Sequence, residues 1–481
     1  MSEAQLSGPL PAEAAEADAS SRPVLFLIFL GAACWAVLGS LFALVASIKF
    51  HAPSFLAAPA WLTYGRVEPA WRNCLLYGFC IQAGLGVALW LLARLGRTRV
   101  AMPGLVLIGT LLWNTGVIAG VGGVLWGDST GFPSLEMPGY AAWLLMLGYL
   151  LIGLSGVLTF HARRERQLFV SQWFIFAALF WFPWIYATAE LLLVTSPVRG
   201  AAQVAISAFY QASLGTVWLP LVGLAAAFYF IPKLAQRDLH SRYLALLVFW
   251  MVILVGGWTG IGNGAPLPAW MPAMSTVATM LLAVPLIAVA LNVHRTLAGR
   301  WAGLKAEPAL AFVFAGTLGL LLAWVLKMAL AGADVRLPIH LTWLTPALEQ
   351  LNTYGFFALV MFGAAYAVLP QVAQTEFPSR LLLWLHFWLA VSGVALMVVP
   401  LGAAGAVEAM RLQDPATPFM AVVKSSLPFL RASTTGDLLL LLAHCVFLLN
   451  VAGLAVRFYR PRAVSAYADA TAELPLVEAN P

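Results

Sequence analysis

The stretch Phe209–Arg237, "FYQASLGTVWLPLVGLAAAFYFIPKLAQR", decides the fold class. It stays apolar for more than the ~20 residues that an α-helix needs to cross a bilayer, then turns basic after Ile231-Pro232-Lys233. A soluble helix would alternate apolar and polar faces; this one is apolar all round.

The rest of the chain repeats that pattern. Of 481 residues, 62% are hydrophobic and 10% charged, whereas soluble domains are about half apolar and a quarter charged. The solvent must be lipid. Twelve spans are expected, at 24–48, 74–95, 101–126, 139–161, 170–196, 205–232, 243–262, 270–293, 308–331, 343–370, 381–403 and 437–458, which makes an all-α bundle. Residues 1–23 and 462–481 are acidic or Ala-rich and lack an apolar core, so they are expected to be disordered tails flanking a membrane domain at 24–461. With twelve spans both termini share a side. Placing them in the cytoplasm puts most of the 26 Lys and Arg residues inside, in tight clusters such as Arg94, Arg97 and Arg99 or Arg163, Arg164 and Arg166, as the positive-inside rule requires. The net charge of +6 is thus a matter of topology, and no nucleic-acid partner is expected. Cys34, Cys74, Cys80 and Cys445 show no metal-type spacing and are expected as buried small hydrophobes. No repeat marks two related halves.

Several stretches resemble subunit I of the haem-copper oxidases, in its cbb-type (C-family) cytochrome c oxidase version. They are "YGRVEPAWRN" (64–73), "RRERQLFVSQWFIFAALFWFPWIY" (163–186), "AAAFYFIPKLAQRDLHSRYLALLVFW" (225–250), "GAAYAVLP" (363–370) and "PSRLLLWLHFWLAVSGVALMVV" (378–399). They fall in the family's order on matching spans. The resemblance implies the twelve-helix subunit I bundle in a bacterial inner membrane, beside a membrane-anchored c-type cytochrome or other respiratory subunits. It also implies six histidines. One from the second helix and one from the tenth hold a low-spin haem b, and another on the tenth holds the high-spin haem. One on the sixth and an adjacent pair on the seventh hold copper. Imidazole suits iron and copper as a neutral, borderline-soft donor.

On those positions this chain carries Trp71, Ala212, Gly260, Ile261, Leu348 and Gln350. A shift of register restores none of them, because no histidine occurs in 52–160, 162–239, 241–293 or 341–385. The expectation is therefore no haem, no copper and no oxygen reduction by this chain alone, with bulky Trp71 and Leu348 refilling the vacated space. Of the seven histidines, His51 and His340 lie near helix ends, and His386 and His444 lie inside spans. They are expected as structural residues, with a haem held by one of these four as the exception. Intramembrane polar residues mark function by default, which singles out Glu190, Lys327, Glu349 and Gln350. Lys327 and Glu349 sit at similar depth and can satisfy each other as an ion pair; a proton path or a lipid or quinone contact is the other reading. Three functions remain: a non-catalytic scaffold subunit, a haem-binding oxidase or nitric-oxide-reductase relative with unusual ligation, and a proton or solute transporter.

Overall fold

A computed structural model describes residues 11–262, 265–332 and 339–472. Among them every regular element is helical. Eleven helices are long and apolar enough to cross a membrane: α1 (Pro11–His51), α2 (Tyr64–Leu95), α3 (Pro103–Trp126), α4 (Gly139–His161), α5 (Val170–Thr195), α6 (Ala201–Ala235), α8 (Trp270–Leu297), α9 (Pro308–Ala329), α10 (Leu344–Ala373), α11 (Arg380–Leu412) and α12 (Phe419–Ala472). The shorter α7 (Arg242–Trp258) completes the expected twelve. It stops four residues early because Gly256 and Gly257 tighten its last turn and Gly260 adopts a φ of +105°, a conformation that costs a residue with a Cβ.

Local chemistry sets several helix starts. Ser241 and Ser379 cap α7 and α11, each accepting from the backbone N–H three residues on; such caps satisfy donors that the helix itself leaves unpaired. Pro103 and Pro308 open α3 and α9, where a missing N–H costs nothing. Close packing fixes the helix neighbours. A Cβ built at Gly109 would lie 2.8 Å from the Gly148 carbonyl oxygen, which lets α3 and α4 pack backbone to backbone, and one built at Gly319 would collide with the Gly355 carbonyl between α9 and α10. Membrane helices associate through such small residues.

Three helices form the centre. The most apolar stretches of α2, α6 and α10 are 94%, 89% and 89% buried, against 33–61% for the other long helices. These are three of the four spans from which the resemblance draws metal ligands.

Two expectations about the chain ends change. Residues 11–23 are not a tail: they are helical, and Asp18 is buried, accepting hydrogen bonds from Trp90 Nε1 (2.9 Å) and Arg94 (2.8 Å). A carboxylate with two such donors tolerates burial. Residues 462–472 continue α12, with 462–468 exposed. Residues 1–10 and 473–481 lie outside the described residues. Residues 404–436, between the last two expected spans, are largely helical too, as the end of α11 and the beginning of α12.

Candidate functional site

The three central helices share a backbone irregularity. In α2 a π-helical segment covers Cys74–Ile81, in α6 Ser213–Trp218, and in α10 Leu351–Ala358. Each begins within three residues of a position where the resemblance expects a ligand: Trp71, Ala212, and Leu348 with Gln350. π-Turns cost hydrogen-bond geometry and gather at functional sites. The scaffold thus carries its distortion where the imidazoles are missing. A fourth π-segment, Glu190–Thr195, ends α5.

Between α6, α7, α9 and α10 lies a cavity of about 980 Å³, and Ala212, Gly260, Ile261 and Leu348 all line it. The three positions implied for copper and one of the two haem positions on the tenth helix are therefore brought together, as four apolar groups around open space. Leu348 does not refill that space; it forms part of its wall. Trp71 does pack, half-buried, against the small buried cluster of Ala46, Leu62 and Val67.

The cavity also gathers two of the polar candidates. Lys327 Nζ donates to Thr216 Oγ1 (2.7 Å) and Thr259 Oγ1 (2.9 Å), tying α9 to α6 and to the end of α7. Glu349 lines the cavity too, but its partner differs from the expected one. It pairs with Arg72 at 3.6 Å, and Arg72 pairs with Glu68 at 2.6 Å. Arg72 stands next to Trp71, so the start of α2 is joined to α10 by charge. Beside this group Asn73 donates to Glu136 at 3.0 Å. Burial pushes the Glu136 carboxyl above its usual range, and its hydrogen bonds and Arg72 oppose the shift. Asn352 Nδ2 donates to the Gly215 carbonyl (2.9 Å), bridging the π-turns of α6 and α10 across the cavity wall. Gln350 is buried, and among the described residues its Oε1 has no hydrogen-bond partner. Glu190 does not line the cavity; it is buried one turn beyond Tyr186, whose ring faces the hydrogen-bonded Tyr77–Tyr210 pair (2.6 Å).

The reading of the residues missed Thr216, Thr259 and Asn352. Threonine is ordinary in a membrane helix. The available signal was adjacency, since Thr259 immediately precedes the Gly260-Ile261 positions and Asn352 follows Gln350 by two.

The histidines separate into two groups. His51 bonds Thr434 at 3.2 Å, and His340 lines the cavity. His386 and His444 are fully buried in a second region, between α1, α2, α9, α10, α11 and α12. Asn450 donates to the Tyr366 hydroxyl (3.0 Å), so the single Tyr366 proton goes to His386 Nδ1 (2.7 Å). Ser40 donates to the Ala36 carbonyl, so His444 Nδ1 donates to Ser40. Each ring is held through Nδ1 by a neighbouring hydroxyl, and each Nε2 lacks a partner among the described residues. Phe362 packs on both rings, with centroids at 4.6 and 5.6 Å, Phe447 lies 5.3 Å from His386, and Tyr354 stacks on His444 at 5.8 Å.

This arrangement does not fit two haems and a copper ion. Apolar and amide side chains hold the six positions. The two buried imidazoles are already enclosed by aromatic rings. Among the described residues no group of three or more His, Cys, Asp or Glu is placed to hold a metal ion.

Residues 23–439 match the model of the family described as cytochrome C and quinol oxidase polypeptide I. The chain is 24% identical over 412 residues to a cytochrome c oxidase subunit 1 homolog, bacteroid, from Bradyrhizobium diazoefficiens, covering 81% of this chain and 72% of that one. It is 22% identical to a subunit of a cbb3-type cytochrome c oxidase from Stutzerimonas stutzeri, covering 83% and 86%. Its fold resembles a chain of a heme-copper terminal oxidase dimer solved by cryo-electron microscopy, with a TM-score of 0.65 at 15% identity, over 90% of this chain and 84% of that one.

Proposed function

This chain belongs to the cytochrome c and quinol oxidase polypeptide I family, and from that membership we propose that it is a non-catalytic, haem- and copper-less membrane subunit that serves as a scaffold in a respiratory or electron-transfer complex. The observation that carries this reading is the set of side chains at the six ligand positions: Trp71, Ala212, Gly260, Ile261, Leu348 and Gln350. Fold alone does not confer activity. The haem-copper centre of the resembled family needs iron and copper held by donors such as imidazole or thiolate, and none of these six side chains is such a donor. What the chain keeps is a rigid bundle with large lipid-facing helices, the part of an oxidase subunit on which neighbours dock. The family setting points to a membrane-anchored c-type cytochrome or another respiratory subunit as that neighbour, in the bacterial inner membrane, with both termini in the cytoplasm.

Tagged protein purified from its own membranes in mild detergent tests this reading. The expected result is co-purification of one or more respiratory subunits with the tagged chain, and oxygen consumption that follows the partners and vanishes when the chain is isolated. Oxygen reduction by the isolated chain would overturn the proposal.

A further inference from the structure

The cavity between α6, α7, α9 and α10 is lined by both polar and apolar side chains. We propose that it binds one bilayer-derived amphiphile, with the carbonyl or phosphoryl oxygens of its head at Lys327, Thr216 and Asn352 and its hydrocarbon body along Trp324, Ile261 and Leu348. All six residues line the space.

Four features support this site. Its volume of about 980 Å³ is that of a pocket for a ligand of some tens of atoms, for which the usual span is roughly 300–1,000 Å³. The space is only partly enclosed and carries an ammonium, hydroxyls and amides on its walls, so its polar groups meet water or a ligand head. Lys327 is anchored by two threonine hydroxyls from different helices, and therefore does not simply reach along the helix for bulk water as flexible lysines do. The bond between Asn352 and Gly215 pins the π-turns that frame the wall. Small residues there, Ala212, Gly215 and Gly260, keep the space from closing.

The lining also selects among ligands. Glu349 faces the same space, and its charge disfavours a free small anion. An amphiphile whose oxygens accept hydrogen bonds matches the donors, and its chain matches the apolar wall. Leu341, which lines the cavity and is 92% exposed, marks the mouth. The inference stands apart from the scaffold role proposed above, which requires no ligand.

Native mass spectrometry of the full-length protein in detergent tests it, with phosphatidylglycerol and a short-chain quinone as separate probes. The first offers phosphoryl and ester oxygens, the second only ring carbonyls. The expected result is a one-to-one adduct with one of the two. Its dissociation constant should rise roughly tenfold in Lys327→Met, the effect of losing about 1.4 kcal/mol of binding, and the adduct should disappear in Ala212→Trp, which fills the space. Leu348→Trp serves the same purpose if Ala212→Trp does not elute as a single species in gel filtration. No adduct with either probe, or an adduct unchanged by Lys327→Met and by the filling variant, would overturn the inference and leave the scaffold role untouched. An adduct with a Soret band, identifying haem in the cavity, would overturn both.

Discussion

The aromatic core around His386 and His444 and the cavity at the implied copper positions are packed in opposite ways. On the side of α1, α2, α11 and α12 the core is shut. Phe79 meets Phe362 at 4.8 Å, and Phe362 meets Phe447 at 4.8 Å and His386 at 4.6 Å, with His386 and His444 each bonded to a hydroxyl. On the side of α6, α7 and α9 the space is open at about 980 Å³, walled by Ala212, Gly260, Ile261 and Leu348 and threaded by Lys327. Closing a void needs large, stiff side chains from several helices at once; a single leucine facing alanine and glycine cannot do it. Where polar groups line the remaining space, hydration or a ligand offsets the missing contacts, so no pressure of packing closes it. The shut side should therefore carry the stability, and the open side should tolerate change.

The largest effect is expected for Phe362→Ala, which removes a ring touching both buried histidines. It should destabilise by about 3–5 kcal/mol, as large aromatic truncations in cores do, and give the largest drop in thermal unfolding midpoint in detergent. His386→Leu comes next. It strips the Tyr366 hydroxyl of its acceptor, and a buried donor left unpaired costs about 1–3 kcal/mol; Tyr366→Phe in the same background should recover part of that loss. Two substitutions on α6 compare a closely packed position with one that faces the cavity. Ala226, fully buried in close packing, should lose about 1–3 kcal/mol on conversion to leucine through overcrowding. Ala212→Leu, facing open space, should shift the midpoint by no more than the about 0.5 kcal/mol typical of unconstrained sites. Leu348→Ala should cost less than the about 2–5 kcal/mol of a packed leucine. Equal losses at Ala226 and Ala212 would show that the cavity wall is as tightly packed as the core and erase the contrast.

Much of this was legible in the residues. Hydropathy finds the spans because lipid permits only self-satisfied helices, and the histidine-free stretches show that no shift of register restores imidazole at the positions the resemblance implies. The helix at 11–23 was hidden, because Ala, Glu and Asp read as a solvated tail until Arg94 and Trp90, more than 70 residues away, supply Asp18 with donors. The partners of Lys327 and Glu349 were hidden for the same reason. Their depth follows from position in the chain, but Arg72, Thr216 and Thr259 come from other helices, and the facing of helices is not written in their apolarity. The π-turns of α2, α6 and α10 leave no mark in an all-apolar stretch, since a helix that is greasy all round shows no period to disturb.

The central claim is that no side chain of this protein holds haem or copper within the membrane. Its most direct test is the metal and haem content of the isolated chain, read as the reduced-minus-oxidised absorption spectrum together with copper by elemental mass spectrometry. The account predicts no Soret or α-band and no copper in proportion to protein. A haem band or stoichiometric copper that persists through purification, and disappears in His386→Leu, His444→Leu or His340→Ala, would contradict it.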